Sequence, residues 1–253
     1  MTVPQHVARR VTRESSSPSI TLVGVLGELF ITAALVLVGF VFWQLYWTSY
    51  QVAGPVNEAI HSYSEAHAPS TSNVGERRTS APPAFTQSPG MNEVYGLVHV
   101  PSWNWMRIPL AETTSHAVLD QGFAGHYKET AQPGEIGNFS IAGHRRTYGN
   151  NFRWIDRLQD EDKVVVELDN YYIVYSVKSR EIVEADDEMN TRVIAPVIGD
   201  VSWTQAPTQR WMTMTTCHPE YGNSQRFIVH LSFESWTPKD TGVPAELAEE
   251  PAA

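Results

Sequence analysis

The single cysteine of the chain, Cys217, closes the run Trp211-Met212-Thr213-Met214-Thr215-Thr216. A loop with Pro and Gly-Asn breakers follows, and Arg226 opens the next apolar run, Phe227–Phe233. Side chains alternate with period two along a strand. Phe227, Val229, Leu231 and Phe233 therefore share a core face, and Arg226 lies opposite it. Met212 and Met214 share one parity, and Cys217 shares the other with Thr213 and Thr215. Cys217 and Arg226 can then leave the core together, at adjacent ends of an antiparallel pair. A guanidinium near a thiol stabilises the thiolate, which is the nucleophilic form.

A nucleophile of this kind needs an acid/base. Among nine histidines, His144 follows the strand-like NFSIAG and opens the loop HRRTYGNNF. Gly143 beside it permits close backbone approach. A histidine at the rim of a β-barrel suits proton transfer. His126, in Gly125-His126-Tyr127, is the competing candidate. No spacing among His116, His126, His144 and His218 supports zinc. Glu184–Glu188 lacks the spaced oxygens and Gly turn of a calcium loop and reads as an acidic surface turn. No metal or cofactor is expected.

The elements that must position these residues are short β-rich runs. They are Tyr95–Val100, Met106–Leu110, Asn138–Ala142, Lys163–Leu168, Tyr171–Val177, Glu181–Glu184, Trp211–Thr216 and Arg226–Phe233. Short helices are expected at Thr113–Leu119 and Asn151–Leu158. The pattern predicts one mostly β domain, a barrel or sandwich, over Val94–Trp236, about 140 residues and ordinary in size for a domain.

Ile20–Trp47 carries no Lys, Arg or Asp, and its one charge is Glu28. About 20 apolar residues span a bilayer as a helix, and the run exceeds a signal-peptide core. Trp43, Tyr46, Trp47 and Tyr50 form an aromatic belt at its end. Arg9, Arg10 and Arg13 precede it, and no Lys or Arg follows until Arg77. That asymmetry predicts a cytoplasmic N-terminus, residues 1–19, and an exported remainder. Residues 48–93, rich in Ser, Pro, Thr and Ala, read as a flexible extracellular tether with a short helix near Val56–His67. Residues 237–253 read as a disordered acidic tail.

Composition narrows the function. Lys and Arg number 18 against 28 Asp and Glu, a net charge of −10 that argues against nucleic-acid binding. One thiol excludes an intrachain disulfide.

The run Thr213-Met214-Thr215-Thr216-Cys217, followed by Arg226, resembles the TLxTC…R signature of sortases, membrane-anchored cysteine transpeptidases of Gram-positive surfaces. Gly134–Arg145 resembles the segment that presents the sortase histidine. The strings GHY, AGHRRTYG and TTCHPEY look most like class E sortases of actinobacteria. Met214 stands where the family usually has Leu, a swap of similar size. The resemblance implies a closed β-barrel with Cys217 as nucleophile, His144 as general acid/base and Arg226 as oxyanion or substrate stabiliser. It implies cleavage of a Thr–Gly bond in a C-terminal LAxTG or LPxTG sorting signal of surface proteins. The threonine carboxyl would then join an amine of a lipid-linked peptidoglycan precursor. Thr216, Tyr127 and His126 would line the substrate site. The rivals are a papain-type hydrolytic peptidase and a non-enzymatic tethered binding domain. A papain-type cysteine opens a helix and precedes its histidine, the reverse of the order here. A pilus-building sortase usually has a second, C-terminal membrane segment, so a general wall-anchoring role is expected.

Overall fold

The computed structural model describes residues 21–90 and 92–250. The arginines used for the orientation argument lie outside the described residues. The chain divides into two units, Met1–Phe42 and Trp43–Ala253. In the first, α1 (Leu22–Phe42) is a 21-residue helix with no buried residue. At 1.5 Å per residue it is about 31 Å long, close to the thickness of a bilayer's hydrocarbon core. Its length and apolar composition suffice to cross a membrane.

The second unit is a closed eight-stranded barrel with the order β1-β2-β3-β4-β7-β8-β6-β5. The strands are β1 (Val94–Val100), β2 (Met106–Glu112), β3 (Ala124–His126), β4 (Gly137–Ala142), β5 (Lys163–Glu167), β6 (Tyr171–Glu184), β7 (Arg210–His218) and β8 (Gln225–Pro238). Closure removes the exposed edges that an open sheet would present. Alternate side chains of the strands fill the interior, with Val98, Ile108, Phe139, Ile141, Met212, Met214, Val229 and Leu231 all buried. Between β2 and β3 lies a single helical turn, α3 (His116–Leu119), preceded by α2 (Thr48–Ala66) at the start of the unit.

Several expectations are corrected. The runs Tyr171–Val177 and Glu181–Glu184 form one 14-residue strand, β6. It pairs with β8 along its length, and register shifts between Val174/Tyr175 and Val177/Ser179 absorb the break in pattern. β3, only 3 residues long, is too short to show a period. Asn151–Leu158 is a set of turns holding one 3-10 turn, Ile155–Arg157.

The expected tether, 48–93, is largely packed. Val56 and Ala59 of α2 lie against Ala111, Val118 and Phe123. Further along α2, the Tyr63 hydroxyl sits 3.1 Å from the Tyr95 carbonyl oxygen and 3.0 Å from Asp169. Beyond α2 the chain runs as a strap, bridged at Val74 to Val243 and at Arg78 to Trp236. The Arg78 guanidinium stacks 4.9 Å from the Trp236 ring. Ser/Pro-rich composition denied this segment a periodic signal, but its partners are distant in sequence.

The tail is likewise docked as far as Glu250, and 251–253 lie outside the described residues. Leu247 is buried against Val165, Tyr172 and Val174. Glu250 lies 3.1 Å from His99 Nδ1 and accepts from Arg107 Nε at 2.8 Å. His99 Nε2 reaches Glu167 at 2.7 Å, and Glu167 also accepts from Lys239 Nζ at 2.6 Å. Burial alone would lower the pKa of His99 from 6.5, but its bonds to Glu167 and Glu250 outweigh that and raise it to about 9. A histidine raised on folding contributes stability fully present below its unfolded pKa and lost as pH climbs through the folded one. Hydrogen-exchange protection of Lys239–Glu250, corrected for intrinsic rates, is therefore expected to decline from pH 6.5 towards pH 9. Unchanged protection across that window would show that the imidazolium does not hold the tail.

Candidate active site

β4 and β7 run parallel and side by side, with Ala142 opposite Thr215. Two residues past this pair stand His144, just beyond the end of β4, and Cys217, within β7. The pairing continues beyond β4, because the Gly143 amide donates to the Thr215 carbonyl at 3.2 Å. On the other side of β7, Cys217 is the antiparallel partner of Arg226 on β8. Register thus pairs Cys217 with Arg226, and it brings the end of β4, two residues before His144, alongside Thr215 on the same strand as Cys217. A parallel pair needs a long crossover, which explains why β5 and β6 intervene in sequence between the two halves of the site.

The shared face of Cys217, Thr215, Thr213 and Arg226 is the one expected, but it is not open to solvent along its length. The segment after β6 covers it. Asn138 Nδ2 donates to the Val193 and Ala195 carbonyls at 3.1 Å each. Thr213 Oγ1 donates to Asn138 Oδ1 at 2.8 Å and lies 2.9 Å from His230 Nδ1. His230 Nε2 meets Glu181 at 3.1 Å, and Arg192 donates to the same carboxylate at 2.7 Å. Such satisfied polar networks fix one arrangement. Here they hold the wall of a cleft of about 270 Å³ lined by Tyr127, Thr215, Arg226, Ile194 and the acidic turn Glu184–Glu188. A cavity of about 730 Å³ between the strap and the β5–β6 turn is lined by none of His144, Cys217 and Arg226.

His144 is fixed from behind. Its Nε2 lies 2.8 Å from Asp120 Oδ1, and Asp120 directly follows α3. The Tyr148 ring packs 5.3 Å from the imidazole. The loop there is strained, with Thr147, Tyr148 and Asn150 at φ of 74°, 44° and 52°. Gly143 earns its place by contact: a Cβ would fall 2.8 Å from the Phe152 ring. Phe152 in turn donates its amide to the His144 carbonyl at 3.0 Å, closing the loop.

A second layer lies under these residues. Arg145, almost fully buried, donates to His218 Nδ1 and to Asp156 Oδ2 at 2.8 Å each. It joins the residue after His144 to the residue after Cys217. Because the guanidinium stays protonated, His218 Nδ1 is an acceptor in this contact. The Arg226 guanidinium is turned by the carbonyls of Asn223 and Gln225, at 2.8 and 2.9 Å.

The three residues expected to line the substrate site fare differently. Tyr127 does line the cleft, and its hydroxyl lies 2.9 Å from Thr215 Oγ1. Burial raises its pKa, against the opposing influence of that bond and of Arg226, so it is a neutral phenol. Thr216 is buried, and its hydroxyl donates to the Gly143 carbonyl at 2.6 Å. Its side chain ties β7 to the His144 loop instead of reaching the cleft. His126 is fully buried. It sits opposite Glu112 across the β2–β3 pairing, 2.9 Å from that carboxylate, with Nε2 3.0 Å from the Ala131 carbonyl. Both ring nitrogens are engaged, so His126 belongs to the barrel packing and not to the substrate wall. Sequence reasoning missed Asp120 and Arg145. Arg145 stood in plain view beside His144, but only the parallel register reveals what it touches.

The geometry agrees with comparisons to known proteins. The sortase domain family matches residues 98–234. Sortase SrtE1 of Streptomyces coelicolor is 35% identical over 228 residues, 88% of this chain. The chain spans 60% of that relative's length. The SrtA sortase from Actinomyces oris is 42% identical, with a TM-score of 0.64 over 70% of this chain and 99% of that one. Sortase E1 from S. coelicolor, solved with a tripeptide in its active site, is 36% identical, with a TM-score of 0.56 over 64% of this chain and 99% of its own. With the family matched over more than half its length and relatives of class E similar across most of it, this chain belongs to the sortase family.

Proposed function

We propose that the protein is a membrane-anchored cysteine transpeptidase that cuts the Thr–Gly bond of a C-terminal LAxTG or LPxTG signal and transfers the threonine acyl group to an amine. The observation that carries this reading is the pairing of Cys217 with Arg226, with the His144 loop tied to the same strand through the Gly143 amide and the Thr215 carbonyl. The Cys217 thiolate attacks the threonine carbonyl carbon. Arg226 donates to the oxyanion that develops, where a directed cation contributes most. His144 gives a proton to the departing glycine nitrogen, the C–N bond breaks, and a thioacyl enzyme remains. An incoming amine then attacks the thioester and yields its proton to His144. The new C–N bond forms as the thiolate leaves. Asp120 is a positioning residue: its carboxylate, 2.8 Å from Nε2, fixes the orientation of the imidazole. Tyr127 meets the substrate from the cleft wall. The solved relative with a tripeptide in its active site supports a peptide substrate here.

The acceptor is the amine of a lipid-linked peptidoglycan precursor, and the donors are surface proteins with sorting signals. α1 is the anchor, with residues 1–19 cytoplasmic and the barrel outside the membrane, facing the wall. The test is incubation of the full chain in detergent with LAxTG and LPxTG peptides and an amine. A peptide–amine conjugate, with a thioacyl adduct on Cys217 seen by mass spectrometry, is the expected result. Cleavage to the free acid alone, unchanged by rising amine concentration, would make the protein a hydrolase instead.

A further inference from the structure

Four of the chain's 18 Lys and Arg fall between Arg145 and Arg157, in a protein with a net charge of −10. Arg145 is occupied by His218 and Asp156. The other three are arranged around two aromatic rings. Arg153 and Arg157 flank Trp154, their guanidinium carbons 4.0 and 5.3 Å from its centroid. Arg146 stacks 4.9 Å from Tyr221 and pairs with Glu220. Arg153 and Arg157 have no carboxylate partner among the described residues, and the buried Nε atoms of Arg146 and Arg153 have no hydrogen-bond partner. Burial, then the neighbouring charges of Arg146 and Arg157, lower the pKa of Arg153. Like charges gathered this way repel one another, and an anion placed among them relieves the repulsion.

The location gives the cluster its meaning. Arg146 lies two residues beyond His144, and Arg153 follows Phe152, whose amide is bonded to the His144 carbonyl. Tyr221 lies four residues beyond Cys217. The patch therefore joins the loop that carries the proton-transfer group to the loop that follows the nucleophile. An anion seated there is held by the two loops that flank His144 and Cys217 in the chain. Planar guanidinium forks match phosphate oxygens two at a time, and aromatic faces hold the forks in place. Two cations without a carboxylate partner, with Arg146 and its partner Glu220 beside them, suit a diphosphate better than a single carboxylate.

We propose that Arg146, Arg153 and Arg157, oriented by Trp154 and Tyr221, form a subsite for the diphosphate of an amine-bearing acceptor. This rests on the acyl-transfer reading above and deepens it. The acceptor amine attacks the thioester carbonyl, its proton goes to His144, and the Cys217 thiolate departs. The diphosphate only anchors and is neither cleaved nor transferred.

The experiment uses the full chain in neutral detergent, a sorting-signal peptide as donor, and either 2-aminoethyl diphosphate or ethanolamine as acceptor. The diphosphate amine is expected to show a KM at least about tenfold lower, the worth of one or two charge-assisted contacts. R153Q/R157Q is expected to bring the two KM values together. Inorganic pyrophosphate should compete with the diphosphate amine and not with ethanolamine. Equal KM values in the parent, or a ratio retained in the variant, overturn the proposal. So does phosphatidylglycerol in the micelles if it erases the difference, since the patch would then belong to the bulk lipid surface. Calorimetric titration with inorganic pyrophosphate reads the subsite apart from the chemistry. Binding by the parent that the variant loses is expected, and equal binding by both overturns it. If no thioacyl adduct forms while pyrophosphate still binds, it is the acyl-transfer reading that fails.

Discussion

Cys217→Ala abolishes thioacyl formation and peptide transfer while leaving the barrel folded: that is the expected result with the largest effect. Loss of the nucleophile in a comparable covalent mechanism lowers turnover on the order of 10⁶-fold. The chain contains no other thiol that could substitute. The replacement is small, and the contacts that shape the site do not pass through the sulfur. Thr216 still bonds to Gly143, and Arg145 still bonds to His218. A thermal unfolding midpoint close to that of the parent is therefore expected beside the lost activity. Cys217→Ser distinguishes nucleophile chemistry from shape. The hydroxyl fits the same space, but its far higher pKa leaves almost none of it ionised at neutral pH. A serine variant with parent-like turnover would mean that Cys217 does not attack the substrate.

The placement of Cys217 beside Arg226 was legible because its signal is local. A lone cysteine, at the end of an alternating strand, faced an arginine across one short loop, and the antiparallel pairing of Cys217 with Arg226 follows from that alternation. His144 was legible through its neighbours in the chain and the likeness they carry. The failures share a different cause. His126 was read as a substrate residue because small Gly125 and bulky Tyr127 flank it. Its partner Glu112 lies on β2, and the parallel β2–β3 pairing that joins them leaves no trace in either strand's pattern. Asp120 and Arg145 were missed for the same reason, since each acts across elements far apart in sequence. The strap and tail were mistaken for solvent-exposed chain. Proline- and serine-rich segments give no periodic signal, yet Tyr63, Trp236 and Glu250 supply them with buried partners on the barrel. Short-range pattern therefore placed Cys217 opposite Arg226, and long-range contact determined what packs around them.

The second large effect separates the two histidines, which the structure puts in unlike surroundings. His144→Ala is expected to slow single-turnover thioacyl formation by about 10²–10⁴-fold, the usual contribution of a positioned proton donor. Arg226→Lys keeps the charge but loses the planar fork, so a strong fall in the same step is also expected. Asp120→Asn keeps the size of the side chain and removes the anion 2.8 Å from His144. The amide can turn its donor instead of its acceptor towards the ring, so the imidazole is held less firmly. Thioacyl formation should then fall, but by less than in His144→Ala, while the KM for the peptide stays near that of the parent. His126→Ala acts elsewhere. It leaves the Glu112 carboxylate without its buried partner, and removing one member of such a pair costs about 3–5 kcal/mol of stability. Its thermal midpoint should fall, while the folded fraction, measured by active-site titration of Cys217, forms thioacyl at the parent rate. The assignment fails if His126→Ala loses the chemical step per titrated site while His144→Ala retains it. The Arg226 role fails separately if the lysine variant reacts as fast as the parent, because an undirected charge would then be sufficient.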